Sequence, residues 1–240
     1  MDLVFVLDSS TGITEQNFRV MKDFIKDFLS NANIDDGNVR VGVISFSTQD
    51  YLQFHLKDHQ DKRALFNAID AMPYRRGRIN MADAFNTMRT RMFTAANGDR
   101  PTAPNVAIVV AGGVSNVNRR KTIPEAEQAR ADGIHMYAIG VGLPDTTELK
   151  GVVNKPVDEN LFTARQFSQL KNLGPKIVTS LRSSRCYQFP VIKVYYAESL
   201  VEYSQVFNEV LAIQKQHAFP VRRLWQHYCI FLKKILSLMD

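Results

Sequence analysis

The sequence predicts an α/β fold: a mostly parallel, six-stranded sheet with one antiparallel edge strand, flanked by helices and followed by a helical tail. Three observations lead there. Strand-like and helix-like segments alternate from residue 3 to residue 183, the pattern of repeated β–α units. Two runs, LVFVL at 3–7 and PNVAIVVAGG at 104–113, are apolar without alternation, as strands buried on both faces are. The segment YLQFHL at 51–56 does alternate and follows a strand after a short connection, which makes it an antiparallel partner at the edge.

The elements follow in order. After strand 3–7, residues 13–32 change to helical period: Phe18, Met21, Ile25, Phe28 and Leu29 recur at spacings of three and four, with Lys22, Asp23, Lys26 and Asp27 between them. Thr14 is a suitable N-cap, and Glu15 suits the positive end of the helix. DDGN at 35–38 is a turn signal before strand 39–47. A helix over 61–72 is stopped by Pro73, and a second amphipathic helix covers 80–93. Strand 104–113 closes on two glycines. The segment 123–133 predicts a helix with Pro124 in its first turn and Gly133 just past its end. Strand 134–142, a short helix at 145–153, a last strand at 159–164 and a closing helix at 165–183 complete the pattern, with Gly174-Pro175 interrupting that helix. In such a sheet ligands bind beyond the carboxyl ends of the strands, at the topological switch point. DSSTG at 8–12 and the AGG at 111–113 both end central strands, so they meet at one rim.

A chain of 240 residues makes one large domain, or a medium domain with an appendage. Hydrophobic residues at 45% against 22% charged are enough for a sizeable core. The net charge of +6 and pI near 9.3 favour acidic partners: sulfated polysaccharide, nucleic acid or an acidic protein face. Cys186 and Cys229 show no CxxC pair or zinc-type Cys/His spacing. They leave a disulfide and two free thiols equally open. Met1-Asp2 leads straight into a strand without a basic leader or cleavage site, which reads either as a cytosolic protein or as a fragment of a longer secreted chain. No apolar stretch is long enough to span a bilayer.

Enzyme signatures are missing from the sequence. The five histidines, His55, His59, His135, His217 and His227, form no HExxH helix and no triad with a serine elbow. No GxxxxGK[ST] loop is present, and GVG at 140–142 marks a turn. His135 lies within a strand and reads as a satisfied core or edge residue. The tail, 187–240, differs in texture. Leu200, Tyr203, Phe207, Val210 and Leu211, then Leu224, Tyr228, Phe231, Leu232, Ile235 and Leu238, form apolar stripes of helical period. Arg222, Arg223, Lys233 and Lys234 bracket Trp225 and suit an anionic membrane surface. Docking on its own domain or a partner is the favoured reading, and an unrelated end to an incomplete gene product is a third.

Taken in order, DLVFVLDSSTGITEQNF, VRVGVISFS, GRINMADAF, NVAIVVAGG and ADGIHMYAIGVG resemble a von Willebrand factor type A domain, most closely its extracellular-matrix members such as those of collagen VI and the matrilins. The resemblance covers residues 1–186 and leaves 187–240 outside it. It implies a doubly wound sheet with helices on both faces. It also implies a metal-ion-dependent adhesion site, built from Asp-x-Ser-x-Ser on a first loop, a threonine on a second and an aspartate on a third, through which many members bind a ligand's carboxylate. Asp8 and Ser10 match; Gly12, Ile79 and Ala111 stand where the other three oxygen donors belong.

Magnesium takes six oxygens in near-octahedral array, anchored by one or two carboxylates. Asp8 and Ser10 supply one carboxylate and one hydroxyl, with Asp83 or Ser9 as the nearest shifted ligands. The expectation is therefore a vestigial site with no cofactor, in which Asp8 and Ser10 satisfy backbone amides of the following turn. Around it, Arg75, Arg76 and Arg78 on the second loop, and Arg119, Arg120 and Lys121 on the third, are expected to converge on one face. They either bind an acidic partner directly or are solvated loop charges. Asn80, Ser115, Asn116 and Asn118 are further polar rim residues. The reading is a non-enzymatic extracellular adhesion module, metal-independent, binding a matrix protein such as collagen or a sulfated glycosaminoglycan rather than nucleic acid. Alternatives are magnesium-dependent capture of integrin type, or a structural spacer in a filament-forming protein.

Overall fold

The structure, a computed structural model, describes residues 1–183. The expectations for the tail, including Cys186 and Cys229, lie outside the described residues. Six strands form one sheet in the order β3-β2-β1-β4-β5-β6. They are β1 (Asp2–Asp8), β2 (Arg40–Phe46), β3 (Asp50–Phe54), β4 (Asn105–Ala111), β5 (Ile134–Val141) and β6 (Leu161–Ala164). All pairings are parallel except β2 with β3, which is antiparallel and places β3 at one edge. The sheet thus has the predicted class.

Position in the sheet follows from composition. β1 and β4 are buried at every residue, as their unbroken apolar runs require. Val4 and Val6 face a core completed by Met81, Phe85, Met88, Ala126, Ala129, Leu149 and Val152, from α3 (Met81–Thr87), α4 (Arg119–Ala131) and α5 (Thr147–Val152) and the turn after α3. On the opposite face Phe5 meets Phe28 of α1 (Glu15–Leu29) edge-on, with ring centroids 5.9 Å apart. α1 packs against α2 (Lys62–Ala71). Helices therefore cover both faces. The chain winds from β1 toward β3, then returns to β4 and continues the other way, so the switch point lies between the ends of β1 and β4.

Thr14 caps α1, accepting from the Asn17 N–H at 3.2 Å. At the lower end of the sheet Asp2, fully buried, is clasped by Arg100: its Oδ1 accepts from Nε at 2.8 Å and its Oδ2 from the Arg100 N–H at 2.7 Å. The same guanidinium donates to the carbonyls of Met1 and Asn38, closing the chain ends of β1 and β2 together.

Four segments depart from the sequence reading. The helix expected over 80–93 is α-helical only to Thr87 and continues as a π-helical turn, Met88–Met92. Both methionines are fully buried, and Met92 packs where a side chain on Gly42 would stand. The extra residue in the turn brings the two methionines inward. α4 begins at Arg119, four residues before the expected start, because the Lys121 N–H reaches the Asn118 carbonyl at 2.7 Å and closes the first turn there. Pro124 consequently lies inside the helix and forfeits the bond to the Arg120 carbonyl. The last strand starts two residues later than expected, because α6 (Val157–Asn160) precedes β6. The closing helix is a 3-10 turn, Phe167–Asn172, followed by α7 (Gly174–Ser183), so Gly174-Pro175 starts a helix rather than interrupting one.

Phe5 is the largest apolar side chain of the central strand. Phe5→Ala is expected to cost about 3–5 kcal/mol in a urea denaturation, from lost burial plus an unfilled cavity. A loss below about 1 kcal/mol would mean that the two helical layers do not depend on this contact.

Candidate functional site

Three loops meet over the ends of β1 and β4. The first, after β1, is shaped by Asp8 itself. Its carboxylate is fully buried and accepts from the Ser10 N–H at 2.8 Å and from the Gly112 N–H at 3.2 Å. One side chain therefore orders its own turn and ties the end of β1 to the loop after β4. Burial pushes the Asp8 carboxyl above its ordinary value, while the Ser10 hydroxyl, the Ser10 N–H and the Gly112 N–H pull the other way. The Ser10 hydroxyl is buried beside the carboxylate yet closes no hydrogen bond of ordinary geometry.

The second loop, between α2 and α3, is stitched to the first. Thr11 and Gly77 exchange hydrogen bonds, the Thr11 N–H to the Gly77 carbonyl at 2.9 Å and the Gly77 N–H to Thr11 Oγ1 at 2.8 Å. Ser9 Oγ accepts from the Arg75 N–H at 2.7 Å, and the Tyr74 hydroxyl donates to the Ser10 carbonyl at 3.0 Å. Gly77, at φ +101°, adopts a conformation that ordinary side chains resist, and a Cβ there would also meet Thr48 Oγ1 at 2.6 Å.

The third loop runs from Gly112 to Asn118. Ala111 is fully buried and Ile79 is 8% exposed. A side chain on Gly113 would collide with Ile79 Cδ1, and one on Gly112 with Ile13 Cδ1. The glycine pair is thus the seat for two isoleucines, a role that the sequence reading missed although GG after a buried strand signals close approach. Asn116 fastens this loop to the second: its Oδ1 accepts from the Ile79 N–H and its N–H donates to the Ile79 carbonyl, both at 2.9 Å.

The chain forms an open α/β sheet with one antiparallel edge and with Asp8 and Ser10 at its switch point, and the sequence model of the von Willebrand factor type A domain matches residues 2–176. The chain belongs to that family. Matrilin-2 of Mus musculus is 34% identical over 182 residues, covering 74% of this chain and 18% of that protein. The collagen alpha-4(VI) chain of Mus musculus is 31% identical over 185 residues, covering 76% and 8%. The chain thus spans less than a fifth of either relative. Proximal thread matrix protein 1 from the mussel byssus superposes with a TM-score of 0.70 at 25% identity, covering 75% of this chain and 47% of that one. That protein is also known with a zinc-occupied MIDAS motif, at 24% identity to this chain. The type A domain described here is of the kind that extracellular-matrix proteins carry.

Against the type A metal arrangement, Gly12, Ile79 and Ala111 bring no side-chain oxygen, and both Asp8 oxygens already face backbone N–H groups. The shifted ligands are engaged elsewhere. Ser9 Oγ holds Arg75, and Asp83 is clasped by the Asn80 amide at 2.6 Å and the Asn118 amide at 3.1 Å. The residues present do not make a complete metal cage.

The rim cations share one end of the sheet but not one direction. Arg75 lies over the Tyr51 ring at 4.6 Å, toward β3, and Arg76 over Tyr74 at 5.9 Å. Arg78 alone crosses to the third loop, donating to the Asn116 carbonyl at 2.6 Å. Arg119, Arg120 and Lys121 are exposed and sit in the first turn of α4, not on the loop before it. Asn80 is turned inward: it is 1% exposed, caps α3 and donates to the Thr48 carbonyl at 3.1 Å. Ser115 is likewise buried, its N–H donating to Glu148 at 2.7 Å. His135, expected to be satisfied, meets Asn160 Oδ1 at 2.6 Å. A seventh rim cation, exposed Arg165 at the end of β6, was not singled out from sequence.

A carboxyl whose folded pKa is raised binds its proton more tightly in the folded state than in the unfolded one. Its stabilising contribution is present at low pH and is lost as pH rises through the folded value. Asp8→Asn removes that titration. Denaturant unfolding at a series of pH values is expected to show wild type losing stability relative to Asp8→Asn as pH climbs above 3.8, the ordinary carboxyl value. A difference that stays flat with pH would contradict this account of Asp8.

Proposed function

We propose that this type A domain is a non-enzymatic interaction module of the extracellular matrix, engaging its partner by direct contact at the loop rim with no bridging divalent cation. The observation that carries the reading is the composition of the rim. Oxygen donors of the metal arrangement are replaced by Ile79, Ala111 and Gly12, two isoleucines cover the glycine pair, and arginines stand exposed around them.

A rim of this kind attracts anions. Arg75, Arg76, Arg78, Arg119, Arg120 and Lys121 are all exposed, and the planar guanidinium fork suits carboxylate and sulfate alike. Two carboxylates of the same rim are engaged, Asp8 by backbone N–H groups and Asp83 by two asparagines, while exposed Asp145 lies within the field of Arg119. Stacking on Tyr51 and Tyr74 presents Arg75 and Arg76 with part of their side-chain freedom already removed, which lowers the entropic cost of using them. The relatives are collagen and matrilin chains, so the partner classes that suit the surface are a matrix protein such as collagen and a sulfated glycosaminoglycan.

Two measurements test this. On a heparin column the variant with Arg75, Arg76, Arg119 and Arg120 all changed to Ala is expected to elute at clearly lower salt than wild type; identical elution removes the charged rim from the reading. Calorimetric titration with magnesium or manganese is expected to give no saturable heat. A stoichiometric isotherm, lost in Asp8→Ala, would restore the cation as the bridge.

A further inference from the structure

Two strands away from Asp8, the same end of the sheet holds an open groove of about 750 Å³. Leu143, Pro144 and Thr146 line it from the β5–α5 connection, and Thr163, Arg165 and Gln169 from β6 and the segment beyond. The two sides are joined by the Gly142 N–H, which donates to the Ala164 carbonyl at 2.8 Å. Gly142 sits at φ +68°, a turn that glycine makes without strain.

The chemistry of the lining points one way. Every polar side chain in it can donate a hydrogen bond, and none is a carboxylate. Arg165 is exposed and enters no salt bridge among the described residues. Gln169 uses its Oε1 to accept from the Arg165 N–H at 2.9 Å, which leaves its amide nitrogen to donate elsewhere. Thr146 precedes α5 without capping it, so its hydroxyl is not committed to the helix. The neighbouring acid, Asp145, is held instead by Thr147: its Oδ1 accepts from the Thr147 N–H at 2.8 Å and the Thr147 hydroxyl at 2.6 Å.

One guanidinium beside an apolar wall distinguishes between anions. A sulfated glycan carries many charges on a polar backbone and gains little from Leu143 and Pro144. An aspartate or glutamate side chain offers one planar carboxylate, which a guanidinium grips in bidentate fashion, on a hydrocarbon stem that an apolar wall covers. We infer that this groove receives an acidic side chain of a protein partner: the carboxylate on Arg165, the stem against Leu143 and Pro144, and hydrogen bonds from Thr146, Thr163 and Gln169. The site uses none of the six rim cations from Arg75 to Lys121, so it stands or falls separately from the rim reading.

The test uses the full chain labelled with 15N and N-acetyl-glutamate N-methylamide as probe. Saturable shifts at the amides of Gly142, Thr146, Arg165 and Gln169 are expected. Arg165→Ala should abolish them, and Arg165→Lys, which keeps the charge but loses the fork, should weaken binding several-fold. Because Arg165 is exposed, an otherwise unchanged amide spectrum will show that both variants are folded. The glutamine analogue, equal in shape and uncharged, should leave these amides unmoved. Equal shifts from the glutamine analogue, shifts that persist in Arg165→Ala, or no saturable shift at all would overturn the inference. So would tighter binding of a sulfated disaccharide at the same amides, which would hand the groove to a glycan.

Discussion

A carboxylate buried at the end of the central strand must be satisfied locally or remain protonated, since leaving a charge unpaired in the interior costs more than the fold can bear. Asp8 is in that position. Its two oxygens take backbone N–H groups from either side of the switch point, Ser10 on the loop after β1 and Gly112 after β4. The rest of the rim is arranged around that solution. Ser10, once turned by Asp8, offers its carbonyl to Tyr74, and Thr11 locks on to Gly77. The second loop then carries Ile79 over Gly113, and Ile79 in turn is fastened to Asn116 on the third loop. Three loops are held by one acid and the chain of contacts that starts from it.

Gly12, Ile79 and Ala111, none with a side-chain oxygen, change what such a rim can do. A divalent cation at the switch point would bring a concentrated charge that any carboxylate could share. Isoleucines there bring shape and dryness. Positive charge also lies around the rim, on exposed arginines of which Arg75 and Arg76 stack on tyrosines and Arg78 donates to the third loop. Matrilin and collagen VI chains carry domains to which this one is similar.

The sheet was legible because parallel strands buried on both faces leave an unmistakable signature, as LVFVL and NVAIVVA do, and because Thr14 announces the helix that follows. Loss of oxygen at residues 12, 79 and 111 was also legible, since it needs only residue identity. What was not legible depends on three dimensions. Pro124 suggested a helix start because proline favours that position, but the turn closed at Asn118 overrode the preference. The π-helical turn at Met88–Met92 answers to packing against Gly42, a partner distant in sequence. The basic clusters of the second and third loops were expected to converge on one face; Arg75 stacks on Tyr51 and Arg76 on Tyr74, while Arg119, Arg120 and Lys121 belong to the first turn of α4. Arg165 carries no local signal at all. Only the topology, which ends β6 on the same rim as β1 and β4, brings it into view.

The reciprocal bonds between Thr11 and Gly77 have a kinetic meaning. Loops stitched at both backbone and hydroxyl need not wait for an opening event before a visitor can land. For a partner that binds the rim as proposed, encounter is then limited by diffusion and by the long-range field of the arginines, so the on-rate should be quick in dilute buffer and drop steeply as ions are added. How long a partner stays is a separate matter, decided by the short-range fit it finds after arrival.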